Sequence, residues 1–486
     1  MTLISVSASL QRWEDLAAEK LAITDDSITL TRRELARRTN RLARAFAERG
    51  VTEGSFVTIV LPNTTMYVEA AIAALKLGAT PQPVSYRLPK RELDAIVEIA
   101  DPSLVVGVSA INYPTRATIP ADFVPESSLS DAPLPERIAR HWKAPTSGGS
   151  TGRPKLIVSG TPAQFDDSLP EFSPPFLLPR DGVVLIPGPL YHNAPFTLAL
   201  QSLFYGNHVV IMSRFDASRT LELLERHRAQ MVLLVPTMMS RIWKLAPHER
   251  DQFDLSALRF AFHMASHCPA WLKLAWIDWL GPERVCELYG GTEMQALTFL
   301  DGSEWLEHSG SVGRCVTGEI QILDDEGNAL PPGETGEVYM RPTPGSAPTY
   351  FYVGAESKSR DGWDTIGDIG WMDDEGYLYL ADRRTDLILR GGANIYPAEV
   401  EAAIEEHAAV QSCVVIGLPD EDLGQRVHAI VQPGGELSES DLTEHLNDRL
   451  ARYKIPTSFE FVSDPVRDDA GKTRRGALRE ARMEAG

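Results

Sequence analysis

The chain has 486 residues, of which 43% are hydrophobic, 23% charged and 8% aromatic. That is ample core material, and at roughly 100–200 residues per domain it predicts two to four domains. Disordered chains, collagen-like repeats and disulfide miniproteins are excluded. Lys and Arg number 47 against 67 Asp and Glu, a formal charge of −20 that keeps the chain soluble and repels a phosphate backbone, so no nucleic-acid partner is expected.

Cys268, Cys286, Cys315 and Cys413 are widely spaced and form no C-x-x-C pair, so buried, reduced thiols are expected. The first twenty residues carry early acidic groups and no long apolar stretch, unlike a signal peptide. No apolar run reaches the ~18–20 residues that span a bilayer. The expectation is a soluble, cytoplasmic protein with no membrane span.

In chain order, Phe56–Leu61 reads as a buried strand and Met66–Leu77 as an Ala-rich helix closed by Gly78. Strands follow at Val183–Ile186, Val209–Met212, Met231–Val235, Arg259–His263 and Val285–Leu288, with a helix over Ala217–His227. Continuous apolar strands alternating with helices predict an α/β fold with parallel-type sheets covered by helices. From about residue 310 the texture changes: Gly318–Arg341 and Gly376–Leu389 are strand-rich and broken by turns, predicting a β subdomain over about 310–384. Beyond the charged link DRRTD (Asp382–Asp386) come a helix (Ala398–Ala408), strands (Ser412–Ile416, His428–Val431), a helix (Glu439–Arg452) and a last strand (Phe459–Val462). They predict a large N-terminal domain over residues 1–384 and a small, mobile α+β domain over 385–486.

Five stretches carry chemistry. TSGGSTGRPK (Thr146–Lys155) has the hydroxyls, free backbone N–H groups and cation of a phosphate grip, although a flexible surface turn has a similar composition. It is not a P-loop, because Arg153 and Pro154 stand where Gly-Lys-Ser/Thr is required. YGGTE (Tyr289–Glu293) follows a strand, where Thr292 could donate to a phosphate and Glu293 hold Mg²⁺ or simply be solvated. In TIGDIG (Thr365–Gly370), Asp368 could accept from both hydroxyls of a ribose. ADRRTDLILRGGANIYPAEVE (Ala381–Glu401) and DAGKTRR (Asp469–Arg475) complete the set.

In their order and spacing these motifs resemble the adenylate-forming superfamily of acyl-CoA synthetases, adenylation domains and luciferases, most closely its bacterial acyl-CoA ligases. The resemblance covers nearly the whole chain from Leu30–Phe46 onward. It implies ATP-dependent activation of a carboxylic acid to an acyl-adenylate, then transfer to CoA; loading of an acyl carrier protein is the alternative. Under it, Ser147, Gly148, Gly149, Ser150, Thr151, Gly152 and Lys155 would close on the β and γ phosphates, and Thr292 and Glu293 would take the α-phosphate and magnesium. Ala265, Ser266, Glu287, Leu288 and Tyr289 would flank adenine, Gly290 would also bind the nucleotide, and Asp368 and Arg383 would contact the ribose. Lys472 would bridge the carboxylate and the α-phosphate, and would act catalytically with His192, Thr292 and Glu293. The acid pocket would comprise His192, Asn193, Phe196, Gly291 and Met294, and Thr385 would be the hinge. Thr385 stands where Asp or Lys is usual, and HMASHCP (His263–Pro269) is bulkier than the family's small-residue segment, so His263 and His267 would shape the pocket or belong to core or surface. Asp216 in FDAS resembles an amine-anchoring aspartate but lies elsewhere in the fold, and LYHNAPF has no carboxylate. A plain carboxylic acid, bulky or ring-containing, is therefore the expected substrate.

Overall fold

The computed structural model describes residues 3–148, 154–420, 422–468 and 471–483. A parallel sheet of four strands runs in the order Thr80–Pro83, Phe56–Ile59, Leu104–Val106, Ala117–Ile119. A second, larger sheet has a parallel centre in the order Val285–Tyr289, Phe260–His263, Met231–Leu234, Val183–Ile186, His208–Ile211, Leu21–Thr24. Its strands read as unbroken apolar runs because both faces are covered. Val184, Ile186, Val209, Met231 and Leu233 point into one core, while their neighbours Leu185, Val210, Val232 and Leu234 point into another. The Ala-rich helix, Thr65–Lys76, is buried almost all round, and its small side chains let Arg32–Ala47 pack closely over it.

The antiparallel strands begin earlier than the predicted residue 310. Leu297–Asp301 pairs antiparallel with Val285–Tyr289 and continues the same sheet through Ser311–Thr317, Tyr377–Arg383, Trp363–Met372, Gly336–Arg341 and Glu319–Leu323. The hydrogen-bond ladder crosses the change of texture without a break. A three-stranded sheet of Tyr350–Val353, Pro154–Ser159 and Thr146–Gly148 lies beside it in sequence but pairs only within itself. Cys268, Cys286 and Cys413 are buried, but Cys315 is exposed on Ser311–Thr317, correcting the expectation of four buried thiols.

Residues from Ile388 to Phe459 share a separate hydrophobic core. A long hairpin, Val410–Asp420 with Gly424–Pro433, carries Ser458–Phe461 in parallel and packs against the helices Pro397–Glu405 and Arg475–Met483. The helix predicted to reach Arg452 ends at Asn447, because its buried anchors, Leu442 and Leu446, run out there. Glu401, 5% exposed, is clamped in this unit by Arg467 Nη2 at 2.6 Å and Arg475 Nη2 at 2.7 Å, and accepts from the Val415 N–H at 2.8 Å.

Burial pushes the Glu401 carboxyl up, but the two guanidiniums and the Val415 N–H outweigh it and hold the group below the ordinary glutamate range. A folded-state value lowered in this way stabilises above the ordinary glutamate range, and the contribution is lost as pH falls through the native value. Glu401→Ala leaves two buried cations without their shared partner and should cost about 3–5 kcal/mol in urea unfolding at neutral pH, with the deficit shrinking on acidification. A deficit under about 1 kcal/mol, or one that grows on acidification, would show that the clamp does not stabilise the fold.

Candidate active site

Four adjacent parallel strands, Val183–Ile186, Met231–Leu234, Phe260–His263 and Val285–Tyr289, end on one edge of the large sheet. The segments that follow them carry His192, Thr237, Ala265 with Ser266, and Thr292 with Glu293. Ligands of open α/β sheets bind at this carboxyl edge, where backbone groups and loop side chains converge. A Cβ on Gly290 would lie 2.4 Å from Leu297 Cδ2 and 2.9 Å from Ala296 O, so only glycine fits where the chain doubles back from parallel to antiparallel. Gly291–Met294 then closes a turn, with the Met294 N–H 3.1 Å from Gly291 O, and its tip presents Thr292 and Glu293.

The two ends of TSGGSTGRPK lie on antiparallel strands, with Ser147 paired to Lys155 and Gly148 to Pro154. Gly149, Ser150, Thr151 and Gly152, expected on the phosphates, lie outside the described residues. Tyr350–Val353 adds a third strand, and its aromatic side chains are the functional groups that the motifs did not reveal. The Tyr352 hydroxyl donates to Glu293 Oε1 at 2.6 Å, and Lys155 Nζ sits 3.5 Å from the centroid of the same ring. The Tyr350 hydroxyl and Gln295 both donate to Asp364 Oδ2, at 2.8 and 2.7 Å. Burial, with Glu293 close by, pushes the Tyr352 phenol far up, so it remains a donor. The signal was present as alternation in TYFYV, which puts Tyr350 and Tyr352 on one face of a strand.

Asp368 is 8% exposed and opposite Arg383 in the ladder. Its Oδ2 accepts from the Tyr289 hydroxyl at 2.7 Å, and its Oδ1 faces Arg383 Nε at 3.3 Å. Above this group stands the Lys472 loop, in which the Asp468 N–H donates to Lys472 O at 2.8 Å and the Lys472 N–H to Asp468 Oδ1 at 2.9 Å. Arg467, held by Glu401, donates to Gly471 O at 3.2 Å. Gly471 has φ +73°, and a Cβ there would come within 3.0 Å of Thr237 Oγ1, so the loop seats directly on the sheet edge. His192 Nε2 lies 3.5 Å from Asp468 Oδ2. The Lys472 ammonium is lowered by the surrounding protein and by Arg383, against Asp468 and Glu293, which raise it.

Three expected members lie apart from this cluster. Phe196 is 2% exposed and packs between Tyr67 and Trp142 in the core, one helical step inward from His192. The Glu287 carboxylate is turned into the core and paired with Lys273 Nζ at 2.7 Å. Thr385 is exposed on the link, its hydroxyl 3.4 Å from Asp386 Oδ1. His263 belongs to the core: it is 0% exposed, 2.6 Å from Lys273 Nζ, and burial with Lys273 holds it far below its ordinary value and neutral. His267 is exposed. Asp216 caps the helix Ala217–Arg226 through the Arg219 N–H, a structural task far from the cluster. A cavity of about 300 Å³ lined by Thr24–Thr29, Val210, Arg219 and His227 also lies away from it, and its Asp25 is satisfied by local backbone N–H groups.

A hydroxyl- and glycine-rich segment, a sheet-edge carboxylate, an aspartate facing an arginine and a lysine loop seated over them define a nucleotide-using enzyme built from a large unit and a small one. The chain belongs to the AMP-binding enzyme family: that family's model matches residues 10–351, and the AMP-binding enzyme C-terminal domain matches residues 399–473. A feruloyl-CoA synthase of an Amycolatopsis species is 32% identical over 480 residues, covering 94% of this chain and 95% of that protein. A fatty acid–[acyl-carrier-protein] ligase, ScoC, of Streptomyces coeruleorubidus is 28% identical, covering 94% and 93%. Among solved structures, o-succinylbenzoate CoA synthetase of Bacillus subtilis with its acyl-adenylate intermediate aligns at TM-score 0.81 and 26% identity, covering 99% of both chains.

Tyr352→Phe removes one hydroxyl and keeps the ring under Lys155. Loss of a hydrogen bond to a carboxylate is worth about 1.5–3 kcal/mol, so ATP–pyrophosphate exchange should need roughly tenfold more Mg²⁺ for half-maximal rate. An unchanged Mg²⁺ dependence would mean that Tyr352 does not orient Glu293.

Proposed function

We propose that this acid–thiol ligase activates a ring-containing carboxylic acid with ATP, releasing pyrophosphate, and passes the acyl group from the adenylate to CoA. The observation that carries the reading is the seating of the Lys472 loop over Thr237 and Ser266, in the field of Glu293 and Arg383. Attack of a carboxylate on an anionic phosphorus is opposed by charge repulsion, so catalysis rests on fixed cations and on alignment. Lys472 would neutralise the carboxylate and the α-phosphate as they meet, and Lys155 with the amides of its glycine-rich segment would receive the departing pyrophosphate. Asp368, whose two oxygens face Tyr289 and Arg383, would accept from the ribose hydroxyls.

The single carboxylate of Glu293, beside the Thr292 hydroxyl, fits Mg²⁺, an ion that keeps several waters and takes its remaining ligands from nucleotide phosphates. Bound there, it would supply electrostatic stabilisation of the phosphates. Among the described residues no cluster of three His, Cys, Asp or Glu competes for a metal. Of the expected acid-pocket residues, His192, Asn193, Gly291 and Met294 remain, and a Cβ on Gly291 would come within 2.7 Å of Glu293 Oε2. The ring-containing class is supported by the relatives named for ferulate and o-succinylbenzoate.

Thioester formation needs the Lys472 loop to leave so that a thiol can approach, and we place the pivot at Thr385, between units 1–384 and 385–486. Transfer to a carrier protein is the second reading, favoured by the likeness to ScoC. Several basic side chains near the link and the lysine loop are already paired: Arg384 with Asp325 and Glu337, Arg474 with Glu92, Arg475 with Asp386 and Glu401. Free CoA is therefore the preferred acceptor, and the cytoplasm, which supplies ATP and CoA together, the preferred compartment. No described helix is long and apolar enough to cross a membrane.

Pyrophosphate exchange against aliphatic, aryl and polycyclic acids, followed by thioester assay with CoA and with a loaded carrier, tests the whole reading. Exchange only with aliphatic acids would overturn the ring-containing class, and turnover only with the carrier would overturn CoA. Lys472→Ala should lower adenylate formation by about a hundredfold or more with little change in ATP affinity, because its contact strengthens in the transition state. The same variant should retain most of its thioester formation from supplied acyl-adenylate. Equal loss of both half-reactions would sink the role given to Lys472.

A further inference from the structure

Lys143 has no part in the chemistry described so far, yet it is a deeply buried cation beside the site. It stands three residues before the TSGGSTGRPK segment, with its carbonyl accepting from the Ser159 N–H at 3.0 Å and the next residue, Ala144, donating to Pro81 O at 3.0 Å. Its side chain crosses to the first turn of helix Asn193–Phe204. Nζ lies 2.5 Å from Asn193 Oδ1 and 2.8 Å from Thr197 Oγ1, and 4.5 Å from the Trp142 ring centroid. The residue is 2% exposed, and burial lowers the amine to about 7, with Glu293 pulling the other way. Burying an amine is costly unless its donors are satisfied, and an apolar side chain would fill the same space without that cost.

What the amine adds is orientation. Lys143 donates to Asn193 Oδ1, and the Thr197 hydroxyl reaches the same oxygen at 3.4 Å. Turning the amide over would set N–H against N–H, so the inner end of Asn193 is fixed as its oxygen. Nδ2 is thereby the outer end, on a partly exposed residue immediately after His192, whose ring faces Asp468 of the lysine loop. No described residue accepts a hydrogen bond from Nδ2.

We propose that Lys143 is a positioning residue for acid binding: it locks the Asn193 carboxamide so that Nδ2 is presented to an acceptor oxygen of the substrate acid. That oxygen belongs either to the reacting carboxylate or to a substituent on the body of the acid. The inference rests on the acid-activation reading and adds to it a fixed donor beside His192.

The test is ATP–pyrophosphate exchange by the full chain with two acids of one skeleton, one bearing a ring oxygen and one lacking it. Lys143→Met and Asn193→Ala should each raise the KM for acid by about tenfold or more while the KM for ATP stays within about twofold. The double variant should be no worse than either single one, because both remove the same device. A rise with both acids assigns the contact to the carboxylate, and a rise with the oxygenated acid alone assigns it to the ring oxygen. Unchanged acid KM in the part-exposed Asn193→Ala overturns the proposal even if Lys143→Met fails to fold, as do multiplying effects in the double variant. Absence of exchange by the unaltered chain would instead overturn the acid-activation reading itself.

Discussion

An acidic protein that uses a polyanionic nucleotide must concentrate cations locally, and this one gathers them around a single carboxylate. Lys143, Lys155 and Lys472 all feel Glu293, and Arg383 faces Asp368 beside them. Over the whole chain the charge is −20, so the site is a positive island in a negative surface. Glu293 offsets the mutual repulsion of these cations, and the Tyr352 hydroxyl holds one of its oxygens. The spacing of these charges is set by the three-stranded sheet that carries Lys155, the large sheet that carries Asp368 and Arg383 and leads to Glu293, and the small-unit loop that carries Lys472, so displacement of any one would disturb the whole field.

What could be read from the chain was whatever is local. The hydroxyl and glycine run of TSGGSTGRPK, the glycine turn before Glu293 and the glycine before Lys472 announce themselves by composition, because close backbone approach leaves glycine as the only choice. The buried strands were legible for a related reason, since covering on both faces makes their apolar runs continuous. What stayed hidden depends on partners distant in sequence. Tyr352 meets Glu293 across 59 residues and Lys143 meets Asn193 across 50, and nothing in TYFYV or HWKAP names those partners. The burial of Phe196 against Tyr67 and Trp142 could not be read from LYHNAPF, because helix phase and distant partners decide which side chains turn inward. The continuity of the large sheet past Tyr289 was missed because a change of texture from helix-rich to strand-rich looks like a boundary even where the hydrogen-bond ladder crosses it.

The small unit is held together more strongly than it is held to the large one. Within it, Glu401 is buried between Arg467 and Arg475, and this clamp fixes the loop that carries Lys472 and, through Arg475 and Asp386, the segment next to Thr385. Between the units the contacts are lighter. Arg474 meets Glu92 in a bidentate but exposed pair, and Lys244 donates to the carbonyls of Glu405 and Val410 at 3.2 and 2.5 Å. Exposed ion pairs contribute about 0–1 kcal/mol each, whereas breaking a buried one costs several. The rotation proposed above would break these lighter contacts and leave the buried Glu401 clamp intact.

Asp382 sits at the junction of these two regimes. Its Oδ2 caps the first turn of Pro397–Glu405 through the Ala398 N–H at 2.9 Å, while its Oδ1 accepts from the Arg383 N–H at 2.7 Å. Burial raises its carboxyl to about 6, Arg475 and the two N–H donors opposing that rise. The strand that ends at Arg383 is thus joined to the helix that opens the small unit by one side chain reaching past the link. A cap of this kind holds the helix in register without a covalent constraint on Arg384 and Thr385, which are exposed, although Arg384 is paired with Asp325 and Glu337. Precision at Lys472 and freedom at the link are then compatible, because the lysine is positioned by the interior of the small unit and by its seat on Thr237, not by stiffness in the connection itself.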